Sequence, residues 1–242
     1  MKLELLKSFW KIASRSLWRN KLFSFISIAG FTVGLTVFIL LMTFVHNEMS
    51  FDSFHKNKDR IFRAVLYTPY NNTYYGNFPL SLSQRMREAM PRIEGALNCL
   101  DKNTEIKVNG DLLKEKVTFA GPGFFKMFSF RTLAGNPYAF GNDPLSIFVT
   151  ESFAKRNFGQ NYPVGKTISI NIEGEFCNFL IGGIVKDPPG NTCLKFSVLV
   201  PFINAEKMWI MKFSKEDIHP GEFLPSLFLM LKNETDKVAV DA

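Results

Sequence analysis

The pattern of hydrophobic and polar positions divides the chain near its N-terminus. Leu22 to Val45 is a run of 24 residues without a charge. As a helix rising about 1.5 Å per residue it reaches about 36 Å, enough to cross a hydrocarbon core of about 30 Å with some tilt. The apolar region of a cleaved signal peptide is shorter, about 7–15 residues, and ends at a small-residue cleavage site. This run instead leaves through His46, Asn47, Glu48 and Met49. It predicts an uncleaved transmembrane helix over 22–45. Within it Gly30 and Gly34 form a GxxxG, and Thr32 and Thr36 repeat the small-residue spacing, a pattern that lets another helix approach closely.

The residues before the span have a helical period. At 100° per residue Leu3, Leu6, Trp10, Ala13 and Leu17 share one sector, with Lys7, Lys11 and Arg15 beside it. An interfacial helix on the inner leaflet fits, with Phe9, Trp10 and Trp18 at headgroup level. A plain basic flank carrying incidental leucines fits the same residues.

Residues 46–242 alternate between strand and helix patterns. Lys58 to Tyr67 reads as a strand, with Ile61, Arg63 and Val65 on one face and Phe62, Ala64 and Leu66 on the other. Pro79 and Pro91 bracket a helix bearing Leu82, Met86 and Ala89 on one side. Thr104 to Ala120 alternates around Asn109-Gly110-Asp111, a hairpin signal. Phe124 to Phe130 reads as a short aromatic helix or turn. Ser146–Thr150 reads as a strand, Ser152–Phe158 as a helix stopped by Gly159, and Lys166–Ile172 and Phe176–Lys186 as strands. Asp187-Pro188-Pro189-Gly190 ends the last of these. Ile203–Phe213 reads as a helix and Leu227–Lys232 as a final strand. The fold class is α+β: one membrane helix, then a mixed body of two subdomains with one inserted in the other.

Charge changes this picture only at one end. The 242 residues carry a formal net charge of +7 and a pI near 9.3, which alone would suggest a nucleic-acid partner. Of that excess, +5 lies in residues 1–21, which include Arg15, Arg19 and Lys21, and +2 in the remainder. The basic residues are therefore a topological signal. By the positive-inside rule residues 1–21 are cytoplasmic and 46–242 extracytoplasmic, and no nucleic acid is expected.

Candidate chemistry is sparse. His46, His55 and His219 have no metal-ligand spacing beside them and read as solvated side chains. There is no GxSxG and no paired-carboxylate signature, so no catalytic, metal or cofactor residue is assigned. Gly165-Lys166-Thr167 matches the end of a phosphate-binding loop, but the motif requires glycine where Gln160 stands, and a β-branched run follows where a helix should. Cys177 and Cys193 flank the Pro-Pro turn, where a disulfide and unpaired buried thiols are both open readings.

Six blocks, in order, carry a resemblance: SLWRNKLFSFISIAGFTVGL, NEMSFDSFHKNKDRIFRA, FPLSLSQRMREAMPRIEGA, FAGPGFFKMFSFRTLAGNP, SIFVTESFAKRNFGQNYPVGKTISI and GGIVKDPPGNTCLKFSVLVPF. The chain resembles the MacB-like periplasmic core domain of FtsX/MacB-type ABC transporter permeases. The resemblance implies a bacterial inner-membrane protein that works by mechanotransmission. Its ATP would be hydrolysed by an ABC ATPase subunit on a separate cytoplasmic chain. Implied partners are a second copy or further permease helices, a periplasmic substrate or partner protein, and the bilayer. Such permeases have four membrane helices, whereas nothing after Val45 is long and apolar enough for a second span. The expectation is therefore a piece of a longer permease, or a truncated gene. A single-pass sensor binding a ligand outside the membrane, and an anchored periplasmic enzyme, are the other classes.

Overall fold

The computed structural model describes residues 10–11, 15, 17–70, 72–78, 82–159, 163–172, 174–205 and 225–233. The chain separates into two units, Met1–Phe51 and Asp52–Ala242.

The first unit contains helix α1, Lys21–Met49, four residues longer at its C-terminal end than the uncharged run. Among the described residues it is the one helix long and apolar enough to cross a membrane. None of its described residues is buried. The hydroxyls of Thr32, Thr36 and Thr43 donate to the carbonyls of Ile28, Thr32 and Ile39 at 2.7–2.8 Å, so these three side chains are satisfied within the helix. At its end the Ser50 amide donates to the His46 carbonyl at 3.0 Å.

The second unit holds strands β1 Ile61–Arg63, β2 Leu66–Thr68, β3 Thr73–Tyr75, β4 Ile93–Val108, β5 Asp111–Ala120, β6 Thr132–Ala134, β7 Ser146–Thr150, β8 Thr167–Ile172, β9 Glu175–Val185, β10 Val198–Pro201 and β11 Ser226–Leu231. Its helices are α2 Leu82–Ala89, α3 Phe124–Met127 and α4 Glu151–Phe158. Local chemistry explains several boundaries. Thr150 caps α4 by accepting from the Phe153 amide, and Gly159 at φ +62° ends it. Asn109 and Gly110 both have positive φ, the requirement of the tight turn that joins β4 to β5.

Strand pairing closes a ring. β4 pairs with β5, β5 with β10, β10 with β7, β7 with β9, β9 with β8, and β8 returns to β4 through Ile106 and Lys107. The 16-residue β4 extends beyond the ring, and its first half carries β11, which carries β1. One face of all six ring strands feeds a single cluster that includes Ile106, Phe119, Ile147, Ile170, Phe179 and Val198, against which α4 packs Phe153 and Phe158. The opposite face meets the aromatic cluster of Phe124, Phe128, Phe130, Phe140 and Phe196. A third cluster lies over β11 and α2. β4 contributes Ile106, Leu97 and Ile93 to the three clusters in turn, so the nine-stranded sheet joins all of them, and a separate two-stranded sheet, β2–β3, completes the unit.

Two expectations are corrected. Lys58–Tyr67 is a 3₁₀ turn at Lys58–Arg60, then β1, then a break before β2, because Arg60 turns aside to bond β4 and β11. The hairpin begins at Ile93, eleven residues earlier than expected, and β3, β6 and β10 carry no sequence signal of their own. Of the helix expected at Ile203–Phe213, residues 203–205 are helical. Residues 206–213, Pro79 and residues 1–9 lie outside the described residues.

β9 contains a bulge where Ile147 and Phe148 of β7 oppose Ile181 and Gly183. A Cβ at Gly183 would lie 2.1 Å from Phe148 Cε1. Gly183→Ala should therefore cost about 1–3 kcal/mol through overpacking, or about 2–12 °C in Tm for a chain of this size. Gly110→Ala, with open space but φ +95°, should cost about 1 kcal/mol from backbone strain alone. Thermal unfolding of the full chain in detergent measures both, and equal losses would remove the bulge as the cause.

Candidate functional site

The sequence-predicted site residues are all on or beside α1. Gly30 and Gly34 lie on its surface with no atom within 4 Å of an added Cβ, and Thr32 and Thr36 lie two residues after each of them on the same helix. Trp10 and Trp18 are 78% and 74% exposed, and Arg15, Arg19 and Lys21 are exposed too. Lys21 Nζ sits 5.5 Å over the Trp18 ring. The amphipathic stripe through Leu3, Leu6 and Ala13 lies outside the described residues.

A second cluster, which the sequence did not reveal, begins where the second unit starts. Asp52 has a left-handed backbone at φ +53°, unusual for a residue other than glycine. Its amide donates to the Asn191 carbonyl at 3.0 Å, and its carboxylate accepts from the Thr192 hydroxyl and the Cys193 amide. His55 is 4% exposed, which corrects its reading as a solvated side chain. Its Nδ1 accepts from the Ser129 amide at 3.0 Å, and the Lys56 amide donates to Ser129 Oγ at 2.9 Å. Asn57 Nδ2 donates to the Lys126 carbonyl. Arg60 donates to Glu94, to the Leu231 and Lys232 carbonyls, and to Asn57. Nine residues, Asp52–Arg60, thus hold the 191–193 segment, the end of α3 and the starting half of β4 with β11.

The electrostatics follow from that packing. The His55 ring lies among Phe54, Phe128 and Phe130, with centroids 3.9–5.3 Å away. Burial there pushes its pKa down, partly offset by Asp52, whose Oδ1 is 3.8 Å from Nε2. Because Nδ1 accepts, the neutral ring carries its hydrogen on Nε2. Glu94 is held below the usual carboxylate range by its bonds to Arg60 and Lys126.

Other candidate chemistry is accounted for. Cys99, Cys177 and Cys193 are free thiols, so the Cys177–Cys193 disulfide is not found: Cys177 lies on β9 opposite Ile170, and Cys193 beside Asp52. Burial pushes the Cys99 thiol well up, and burial with a bond to Asp52 pushes Cys193 up to about 12, which suppresses thiolate reactivity. The Gly165 amide donates to Ile181 at 2.8 Å and so belongs to a turn into β8. Among the described residues no three His, Cys, Asp or Glu side chains are placed to hold a metal. A cavity of about 590 Å³ opens between α2 and the ends of β4, β5 and β10. Its polar lining is partly self-bonded, Gln84 to Glu88 and Asn98 to Ser83, and no His, Cys or Asp lines it.

His55 gives the unit an acid-sensitive joint. A depressed folded pKa means that its contribution is fully present above the unfolded value of about 6.5 and is lost as pH falls through the folded value. Protonation places an N–H against the Ser129 amide and forfeits one hydrogen bond, about 1 kcal/mol. Glu94, also depressed, loses its contribution at lower pH still. The Tm of the full chain should fall by about 2–4 °C between pH 7.5 and 5.5. His55→Gln should be less stable at pH 7.5 and flat across that range, and a slope unchanged by the substitution would exclude His55 as its source.

Comparison with known proteins places these features. The sequence matches the family described as the MacB-like periplasmic core domain over residues 24–242. No curated protein matches it. Among solved structures, a domain ascribed to a permease protein from Porphyromonas gingivalis superposes with a TM-score of 0.59 at 18% identity, covering 77% of this chain and 81% of that one. The periplasmic region of MacB from Actinobacillus actinomycetemcomitans gives 0.52 at 14%, covering 75% and 77%. The extracellular domain of the noncanonic ABC-type transporter YknZ from Gram-positive bacteria gives 0.53 at 13%, covering 74% and 87%. At these identities the likeness is one of fold. With an apolar helix ahead of such a body, the chain belongs to the MacB-like periplasmic core domain family, the periplasmic domain of ABC transporter permease-like proteins.

Proposed function

We propose that this chain is a non-catalytic permease subunit, anchored in the bacterial inner membrane by α1 with its basic N-terminus in the cytoplasm. It passes motion driven by an ABC ATPase on a separate chain to a periplasmic body that handles an exported or extracted substrate. Trp10, Trp18, Arg15, Arg19 and Lys21 then sit at the inner interface; Gly30 and Gly34 form one packing face for a second copy or further permease helices, and Thr32 and Thr36, about 200° further round the helix, form another.

The observation that carries this reading is the Asp52–Arg60 segment. It starts three residues after the end of α1 and is bonded to three separate parts of the body. A displacement of Asp52–Arg60 is thereby shared with β4, the strand common to all three hydrophobic clusters, without a compliant linker between.

Two measurements test this. Trypsin added to intact spheroplasts should digest the body and spare a fragment holding α1 and the basic flank. The chain purified from membranes should bring down an ABC ATPase, and Arg60→Ala should alter its ATP turnover by about 2- to 30-fold while α1 still inserts. Recovery of the chain in the soluble fraction would sink the anchoring, and a co-purifying kinase in place of an ATPase would favour the sensor reading.

A further inference from the structure

Among the described residues β2 and β3 form a two-stranded sheet separate from the nine-stranded one. A two-stranded ribbon is marginal by itself in water, yet this one exposes its apolar surface. Tyr70 is 98% exposed, Tyr74 68%, Val65 59% and Leu66 56%, and the Tyr67 and Tyr74 rings lie 5.0 Å apart. Exposed strands in water are usually blunted with charges, lysine above all. Here no charged residue occurs from Ala64 to Gln84, although 21% of the whole chain is charged.

We infer that this ribbon is an interfacial anchor, its tyrosines seated among the lipid headgroups on the outer side of the membrane that α1 crosses. The inference rests on the spanning role proposed for α1. Tyrosine suits that boundary because its ring is apolar and its hydroxyl wet, and both interfaces of a bilayer are enriched in it. A charge-free surface enters the boundary without the cost of stripping water from ions, whereas a charged protein partner would be met by charges of opposite sign.

Within the second unit the ribbon's root lies near the segment with which that unit begins. The Arg63 guanidinium packs on Gly76 at that root, where a Cβ would lie 2.9 Å from Nη2. The Cys193 thiol feels the charges of both Arg63 and Asp52. Asp52 is three residues past Met49, at most about 11 Å of chain. This short tether makes the nearby bilayer surface, rather than a distant one, the ribbon's occupant, and Arg63 offers a cation to lipid phosphate.

The test uses the full chain, labelled with 3-fluorotyrosine, in lipid nanodiscs, its ¹⁹F resonances assigned by single Tyr→Phe substitutions. A nitroxide on the lipid headgroup should broaden Tyr70 and Tyr74 at least about two-fold more than Tyr138, which is 79% exposed on a 3₁₀ turn elsewhere in the body. In the same discs Phe38→Trp, within α1, should be quenched by lipids brominated in their acyl chains. If Phe38→Trp is quenched and Tyr70 and Tyr74 behave as Tyr138, the ribbon faces something other than lipid and the inference is overturned while the span stands. If Phe38→Trp is not quenched, the span fails and the inference falls with it.

Discussion

At Gly182 and Gly183 the backbone of β9 runs so close to β7 that a Cβ at either position would lie 2.1 Å from a side-chain atom of Ser146 or Phe148. Gly135, at φ +83°, crowds the same spot from the other side, with the Gly182 carbonyl 2.2 Å from its own missing Cβ. Three glycines therefore allow three backbones to meet. The extra residue of the bulge shifts the face that β9 presents: Phe179 and Ile181 point into the ring, Ile184 does so again after three residues, and Val185 joins the aromatic cluster. One strand thus serves both layers, keeping β7 on one edge and β8 on the other. Phe148, released toward the outer layer, lies 5.0 Å from Phe125 and 5.8 Å from Phe140, within the range of favourable edge-to-face and tilted pairs.

The joint at Asp52–Arg60 is built differently from the sheet it holds. Its contacts are polar bonds to both main-chain and side-chain groups, with one segment reaching carbonyls and amides of several others as well as Thr192, Ser129 and Glu94. Such bonds are directional and lose strength steeply with angle, so they fix orientation where apolar packing alone would allow sliding. Placing His55 inside an aromatic surround adds the cost of a buried polar ring, offset on its Nδ1 side by the Ser129 amide. A segment bonded this way keeps its orientation on the sheet of its own unit.

What could be read from the sequence follows from the range of the interactions involved. α1 announces itself because a charge-free run is a local property. β7, α4, β8, β9 and β11 were legible because cap, period and stop signals lie within each. The first half of β4 was not, since Leu97 to Leu100 are all buried and the alternation that marks a half-buried strand disappears where both faces meet a cluster. β10 is four residues ending in Pro201, too short to show a period. The joint was invisible for another reason: Asp52 finds its partners about 140 residues away and His55 finds Ser129 74 residues away, and no local pattern encodes such pairs. The same distance kept Cys193 from being placed beside Asp52.

The threonines of α1 have a consequence for how this helix can choose neighbours. Each hydroxyl is already spent on a carbonyl one turn back, so these three side chains make no polar demand that a companion must answer. Association at these positions then depends on shape, and Gly30 and Gly34 open a strip that a neighbouring backbone can approach closely. A helix of that kind is undemanding in its companions: none of these three hydroxyls has to be released from its carbonyl for a neighbouring helix to pack against it or to leave.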